Sequence, residues 1–325
     1  MTVEKPHAPF IQHAVDLEVS DALLQRHAPC FVLHDDGRHG PILNPSDFVA
    51  GGSIQEVGAE LDPETLDQWL SEPSHSELSH TYHLQPQKSI YKMSPKKIAQ
   101  ANKQAFADGK GVFGIVRRID ENVYSVKYFF FLAISRTFLP LGSHEGDWLC
   151  IDLQVESDDP LNRSDIVYAI DHYHGKQFIA NRDGGGAYPG GEWTVEGRLR
   201  FADDDSAGQH PIAYLEEGAN ELHTCPGVYR DGPMRLQHQG RGSSYRTASH
   251  VQNLDDASNL ECRLIMRYRG HWGATAKGGG IFKPITGNVT NPKAPPFQGK
   301  MWDRSFAANP FDPISDMHLP AQDME

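Results

Sequence analysis

Beyond Gly111 the hydrophobic pattern changes period, and this change limits what the chain can fold into. Val123–Ile134 is an aromatic and β-branched run. Leu149, Ile151, Leu153 and Val155 then alternate with Cys150, Asp152 and Gln154, and Ile166, Tyr168 and Ile170 alternate in the same way. Successive side chains of a strand point to opposite faces, so period-two alternation predicts half-buried strands. Trp193–Arg200, Ile212–Leu215 and Leu264–Tyr268 read as further strands. With Gly 30 and Pro 22 in 325 residues, turns are plentiful, as a chain of many short strands requires. The expected fold is mainly β: an antiparallel β-sandwich-like domain with a partly helical N-terminal third.

Before Gly111 the punctuation is helical. Ser20 or Asp21 can cap a helix over Ala22–Arg26. Asp62-Pro63-Glu64 places a cap, a first-turn proline and a first-turn acid ahead of Thr65–Leu70. Ser94-Pro95 does the same for Lys96–Ala107, which Gly109 ends. The expected organisation is residues 1–110 packed on a core of residues 111–290, with a proline-rich tail over 291–325. Phe297, Trp302, Phe306 and Phe311 punctuate that tail and are expected to fill grooves on the domain surface.

A formal net charge of −13 repels phosphate backbones, so nucleic acid is excluded as the default partner. The longest apolar run, Tyr128–Ile134, is far too short to cross a bilayer. The first residues lack a signal-peptide core, and the expectation is a soluble, cytoplasmic protein. Cys30, Cys150, Cys225 and Cys262 are widely spaced. They form no CxxC pair, and are expected to be free, buried thiols.

One cluster carries chemistry. In His144-Glu145-Gly146-Asp147-Trp148, three ionisable side chains fall within four residues at the mouth of a strong strand. If the strand extends back by two residues, Asp147 shares the face of Leu149 and Trp148 takes the other. A carboxylate on a buried face needs hydrogen bonds, a cation or a metal, while Trp148 is expected to pack. In Asp171-His172-Tyr173-His174-Gly175, both histidines continue the parity of Ile170. That spacing suits a metal shared with a carboxylate from a neighbouring strand. Asn220, Glu221 and His223 follow the Ile212–Leu215 strand and can reach the same rim. The expected metal ligands are His144, Asp147 and His172, which would also be the catalytic groups of an enzyme. Glu145, His174, Asn220, Glu221 and His223 are the further ligand-binding candidates. No G-x-S-x-G elbow, H-E-x-x-H helix or dinucleotide fingerprint is present.

At these residues the chain resembles the vacuolar protein sorting-associated protein 62 family. His27-Ala28-Pro29-Cys30-Phe31-Val32-Leu33-His34 and Asn44-Pro45-Ser46-Asp47 match its early segment. The aromatic strand runs into His144-Glu145-Gly146-Asp147-Trp148 where the family has H-x-G-D-W-E, so Leu149 replaces a Glu. His172 lies nearest a family histidine, and Asn220 stands at another. Tyr268-Arg269-Gly270-His271-Trp272-Gly273 and the tail through Trp302 resemble the closing segment. A more distant likeness is to the necrosis- and ethylene-inducing proteins, β-sandwiches whose G-H-R-H-D-W-E motif helps hold a divalent cation used in glycolipid recognition. That likeness implies His144 and Asp147 as ligands of a divalent metal. Three functions follow as expectations: a binding or membrane-interaction protein whose polar rim recognises a glycan or lipid headgroup, an enzyme using the same rim on a small molecule, or a structural β protein.

Overall fold

Val123–Ser135 (β6) is buried along almost its whole length, and the rest of the molecule is arranged on its two faces. The structure, a computed structural model, describes residues 13–33, 40–55, 57–58, 60–87, 92–135, 144–173, 176–182, 186–187, 199–202, 209–215, 222–224, 227–231, 234–238, 242–273, 292–298 and 302. For 171–173, 176–179, 181, 186–187, 227–231 and 234–238 only the backbone enters the description.

Strand β6 lies between Val112–Asp120 (β5) and His144–Asp159 (β7), both antiparallel to it. Arg163–Tyr173 (β8), Lys176–Asn181 (β9) and Gly186–Ala187 (β10) extend the sheet beyond β7. His13–Ala14 (β1) and Gln252–Asn253 (β16) pair with β5. Cys30–Leu33 (β2) lies between Ile212–Leu215 (β11) and Ser243–Arg246 (β15), and Leu222–His223 (β12) pairs with β11. Ser53–Ile54 (β3), His83–Gln85 (β4) and His271–Trp272 (β17) make a three-stranded sheet, and Gly227–Asp231 (β13) pairs with Met234–His238 (β14). The molecule is mainly β, and antiparallel pairing dominates its largest sheet; β11 and β2, β16 and β5, and β17 and β4 pair in parallel.

Alternation sorts the central strands into two cores. On one face Val126, Tyr128, Phe130 and Leu132 lie beside Leu149, Ile151, Leu153 and Val155. Leu23 and Leu24 of helix α1 (Leu17–Arg26), Phe31 and Leu33 of β2, and Leu215 cover them. On the other face Phe129, Phe131, Trp148 and Cys150 meet three helices. These are Pro45–Val49 (α2), Pro63–Leu70 (α3) and Leu260–Arg267, and Tyr268 and Trp272 join them. Both faces of β7 are therefore covered, and Cys150 and Asp152 are 1% exposed. The half-buried reading of this strand is corrected: the second layer of helices is invisible in β7's own sequence.

Helix starts are mostly where the punctuation places them. Asp62 accepts the amide of Thr65 at the start of α3. Pro95–Ala107 ends before Gly109, whose φ of 70° only glycine adopts readily. The first helix starts earlier than predicted, after Asp16, because Ser20 and Asp21 are not caps: both accept hydrogen bonds from Asn253 Nδ2, at 3.0 and 2.7 Å. Pro73–Leu78 (α4) adds a turn of helix after α3, so Pro95–Ala107 is α5 and Leu260–Arg267 is α6. The strand expected over Leu264–Tyr268 is a helix instead. Asn259 caps it by accepting the amide of Glu261, and the short apolar run Leu264-Ile265-Met266 suits either period. Most of Trp193–Arg200 lies outside the described residues.

Among the described residues no helix is long and apolar enough to cross a membrane. Cys30, Cys150 and Cys262 are free and buried, and burial pushes the Cys262 thiol up to about 12; Cys225 lies outside the described residues. Phe297 and Trp302 pack on the second core; Phe306 and Phe311 lie outside the described residues.

Candidate functional site

The site begins where β7 begins. His144 pairs with Ser135, Glu145 with Ile134, Asp147 with Leu132 and Trp148 with Phe131. Residues directly opposed across two strands share a face, so Asp147 belongs to the face of Leu132 and Leu149, and Trp148 to the other, as parity predicts. His144, Glu145 and Asp147 are half-buried. Trp148 is 3% exposed and packs against Phe131 at 4.5 Å, Phe113 at 6.1 Å and, edge to face, Trp272 at 5.8 Å between ring centroids. The indole is a packing residue, and it anchors the strand that carries the three polar groups.

Gly146 explains why the motif needs glycine. Its φ is 61°, and a Cβ there would lie 2.2 Å from the backbone oxygen of Trp272. The close approach seats the motif on β17, the segment that the closing Tyr268–Gly273 motif provides. Chain elements distant in sequence thus meet on the second face. Phe48 of α2 contacts both Phe131 and Trp272, at 5.3 and 5.7 Å. Asn44 Oδ1 accepts the Gly111 amide at 2.8 Å, and Ser46 donates its amide and hydroxyl to Glu261.

The His144 ring is oriented. Its Nδ1 lies 3.0 Å from the carbonyl oxygen of Gly146. A carbonyl only accepts, so Nδ1 carries the proton and Nε2 of the neutral ring carries the lone pair. This is the tautomer of an imidazole that ligates a cation, accepts a ligand's hydrogen bond, or removes a proton through Nε2. Glu145 and Asp147 each have an electrostatic or hydrogen-bonding partner of their own.

The other predicted residues divide. Strand β8 pairs Asp171 with Ile151, which sets position 172 across from position 150 and three residues along the strand from 147, about 10 Å at the strand rise. The His172 side chain is outside the description, as are residues His174, Asn220 and Glu221 altogether. His223 is fully buried in β12, where it pairs with Tyr214. Among the described residues no three His, Cys, Asp or Glu side chains gather as a metal site would require.

No family model matches the chain, and no curated protein matches it. Solved structures similar to it include "Toxin fold for microbial attack and plant defense", at 10% identity over 78% of this chain and 82% of that one, with a TM-score of 0.33. They also include "NLPPya in complex with glucosamine", at 10% identity over 81% and 96% with a TM-score of 0.33, and "NLPPya in complex with mannosamine", at 10% identity over the same shares with a TM-score of 0.32. These are proteins of the necrosis- and ethylene-inducing type to which the His144–Trp148 motif is likened.

Sequence reasoning misses one polar cluster altogether. Lys127 and Asp152, whose side chains are each 2% exposed, pair at 3.5 Å on the second face. Ser125 donates to Asp152 at 2.8 Å, and Lys127 Nζ donates to the carbonyl of Trp302 at 2.8 Å, while the Trp302 ring stacks on Phe129. The only local signal is a charged residue inside an apolar run, Lys127 between Val126 and Tyr128. Which residue neutralises it depends on strand register: β6 pairs Lys127 directly with Asp152.

Proposed function

We propose that this chain is a binding protein that recognises a sugar or lipid headgroup through the rim formed by His144, Glu145 and Asp147. His172, His174, Asn220 and Glu221 complete the proposed set, with a divalent cation as its cofactor; His223, fully buried in β12, is left out of it. The observation that carries the reading is the His144 tautomer: with Nδ1–H on the Gly146 carbonyl, Nε2 of the neutral ring is the atom left to accept from a ligand or cation on a half-buried rim. By strand parity His144 shares the face of Trp148 and Asp147 the opposite one, so a shared cation would sit at the strand mouth, beyond Gly146, where a nitrogen and an oxygen donor would suit Zn, Mn or Fe. Leu149 replaces the family's third acidic donor and is 5% exposed in the first core, so a third ligand must come from elsewhere, His172 being the proposed one. The same tautomer would serve an enzyme as a general base, with Asp147 orienting the substrate or metal.

The test is elemental analysis of the purified chain, followed by binding to a glycan panel and to phospholipid and glycolipid vesicles. Wild type is expected to bind one class, and His144→Ala and Asp147→Asn are each expected to weaken it about tenfold or more, the scale of losing a hydrogen bond to a charged group. Undiminished binding by both variants would sink the reading. Turnover of a panel ligand, lost in His144→Ala, would replace it with the enzyme.

A further inference from the structure

A groove of about 540 Å³ opens at the far edge of the three-stranded sheet, a volume within the range of small-molecule sites. It lies away from the rim: Gly146 abuts Trp272 of β17, Trp272 pairs with Leu84 of β4, and Leu84 pairs with Ile54 of β3. Two inter-strand spacings, about 10 Å, separate β17 from the β3 edge. Gly51, Gly52, Ser53, Glu60, Gln85 and Gln87 line it.

The groove is built by the chain's geometry. A Cβ on Gly51 would lie 1.9 Å from Gln87 Nε2, and one on Gly52 would lie 2.3 Å from the backbone oxygen of Gln85. Both glycines therefore let the end of β4 lie across a floor of bare main chain. Gly51 also sits at φ 65° and Gly58, at the lip, at φ 71°. Among the described residues no atom lies within 4 Å of where a Gly58 Cβ would stand. The walls are tied: Gly51 N donates to Leu61 O at 3.2 Å, Leu61 N to Gly52 O at 3.0 Å, and Gly58 N to Ile54 O at 2.7 Å.

We infer that this groove is a second, metal-independent site, for a neutral or amino-substituted saccharide. The lining selects that chemistry. A sugar hydroxyl donates and accepts at once, and the Gln85 carboxamide and the Ser53 hydroxyl each offer both roles. Glu60 supplies an acceptor and, among the described residues, the lining's only charge; none of the described Lys, Arg or His residues lines the groove. A phosphate or uronate would meet that carboxylate without a counter-cation, on a chain of net charge −13, whereas an ammonium would be drawn to it. Among the described residues no aromatic ring lines the groove, so no stacking is counted, and the expected Kd is about millimolar, the range of a few hydrogen bonds alone.

The inference goes beyond the rim reading and fails separately from it. The full-length chain is titrated, with EDTA present, against glucose, glucosamine and glucuronate: one ring without charge, with a positive charge and with a negative charge. Binding is followed by amide chemical shifts. Shifts confined to residues 51–60 and 85–87, in the order glucosamine, glucose, glucuronate, are expected. Glu60 is exposed, so Glu60→Gln leaves the fold intact and is expected to remove the about threefold or greater preference for glucosamine over glucose, the size of a surface charge effect. Gln85→Ala is expected to weaken all three. Titration of His144→Ala separates the two sites. Retained shifts at 51–60 support the groove. Loss of binding in His144→Ala, shifts only near 144–148, equal binding of glucuronate, or no shift at 51–60 with any sugar would each overturn it.

Discussion

The two faces of the β6–β7 pair are made by the same strands and have opposite chemistry. On the first face, Val126, Tyr128, Phe130 and Leu132 meet Leu149, Ile151, Leu153 and Val155 in a dry core. On the second, Phe131 and Trp148 at one end give way to Lys127, Asp152 and Ser125 at the other, all buried. The first face can be assembled from apolar residues alone, since burial of each is favourable whatever its neighbour. The second works only if each polar group finds its particular partner, because an unmatched buried charge costs several kcal/mol. A strand that is apolar on both sides needs only cover; one that buries charge needs register. The charged rim at His144 lies at the end of β7 where the second face is purely aromatic, so a rigid base and a polar edge adjoin.

The sharpest break of this contrast is Asp152→Ala, which strands the Lys127 ammonium. We expect a loss of about 3–5 kcal/mol in urea unfolding, with the double change Lys127→Met, Asp152→Leu recovering most of it. A loss under about 1 kcal/mol would mean that the pair is not buried in solution. Next comes Gly146→Ala, which forces a side chain into positive φ and onto the Trp272 backbone. About 1–3 kcal/mol is expected from the backbone strain, and the near-ultraviolet signal of the two tryptophans should change with it; an unaltered spectrum would remove the β7–β17 contact from the account.

The first face is sharpened by pH. His27, at the end of α1 and 0% exposed, accepts from or donates to Ser164 Oγ at 2.6 Å. Burial first, and the neighbouring Arg26 guanidinium second, lower its pKa from 6.5 to about 3. The unfolded chain therefore binds the proton more readily. Stability is undiminished above about pH 6.5 and falls as pH drops towards 3, by about 1.4 kcal/mol between pH 7.5 and 5.5 from this group alone. Thermal melts of wild type and His27→Gln across that window should diverge in slope; parallel curves would refute the buried neutral ring. The smallest effect belongs to Arg163–Asp158, 2.7 Å apart but 71% and 62% exposed. Asp158→Ala is expected to cost less than about 1 kcal/mol, against the several expected at Asp152, and an equal cost would erase the distinction between buried and exposed pairs.

Much of the site's local geometry was legible in the sequence. Strand parity alone puts Asp147 and Trp148 on opposite faces and makes Trp148 a packing residue. The Asp62 cap, the strands from Val123 to Ile170 and the free cysteines at 30, 150 and 262 follow from equally local rules. The helix at Leu260–Arg267 was not legible as such, because three adjacent apolar residues fit both periods and the Asn259 cap only decides once its side chain is seen on the Glu261 amide. The role of Gly146 was hidden for another reason: glycine announces a special conformation, and its need here comes from Trp272, which is 126 residues away by the numbering of the chain.

What the sequence determined by itself is whatever depends on a residue and its near neighbours: period, capping, parity, and the presence of three ionisable groups at the mouth of one strand. What only the tertiary structure decided is pairing across long separations. It set Lys127 opposite Asp152 and Gly146 against Trp272, brought the end of β4 across Gly51 and Gly52 to form a groove, and covered both faces of β7. The physical reason is that burial and hydrogen bonding act between surfaces. A strand's pattern states which sides need a partner, while the partner is chosen only when the whole chain settles how those sides can be covered together.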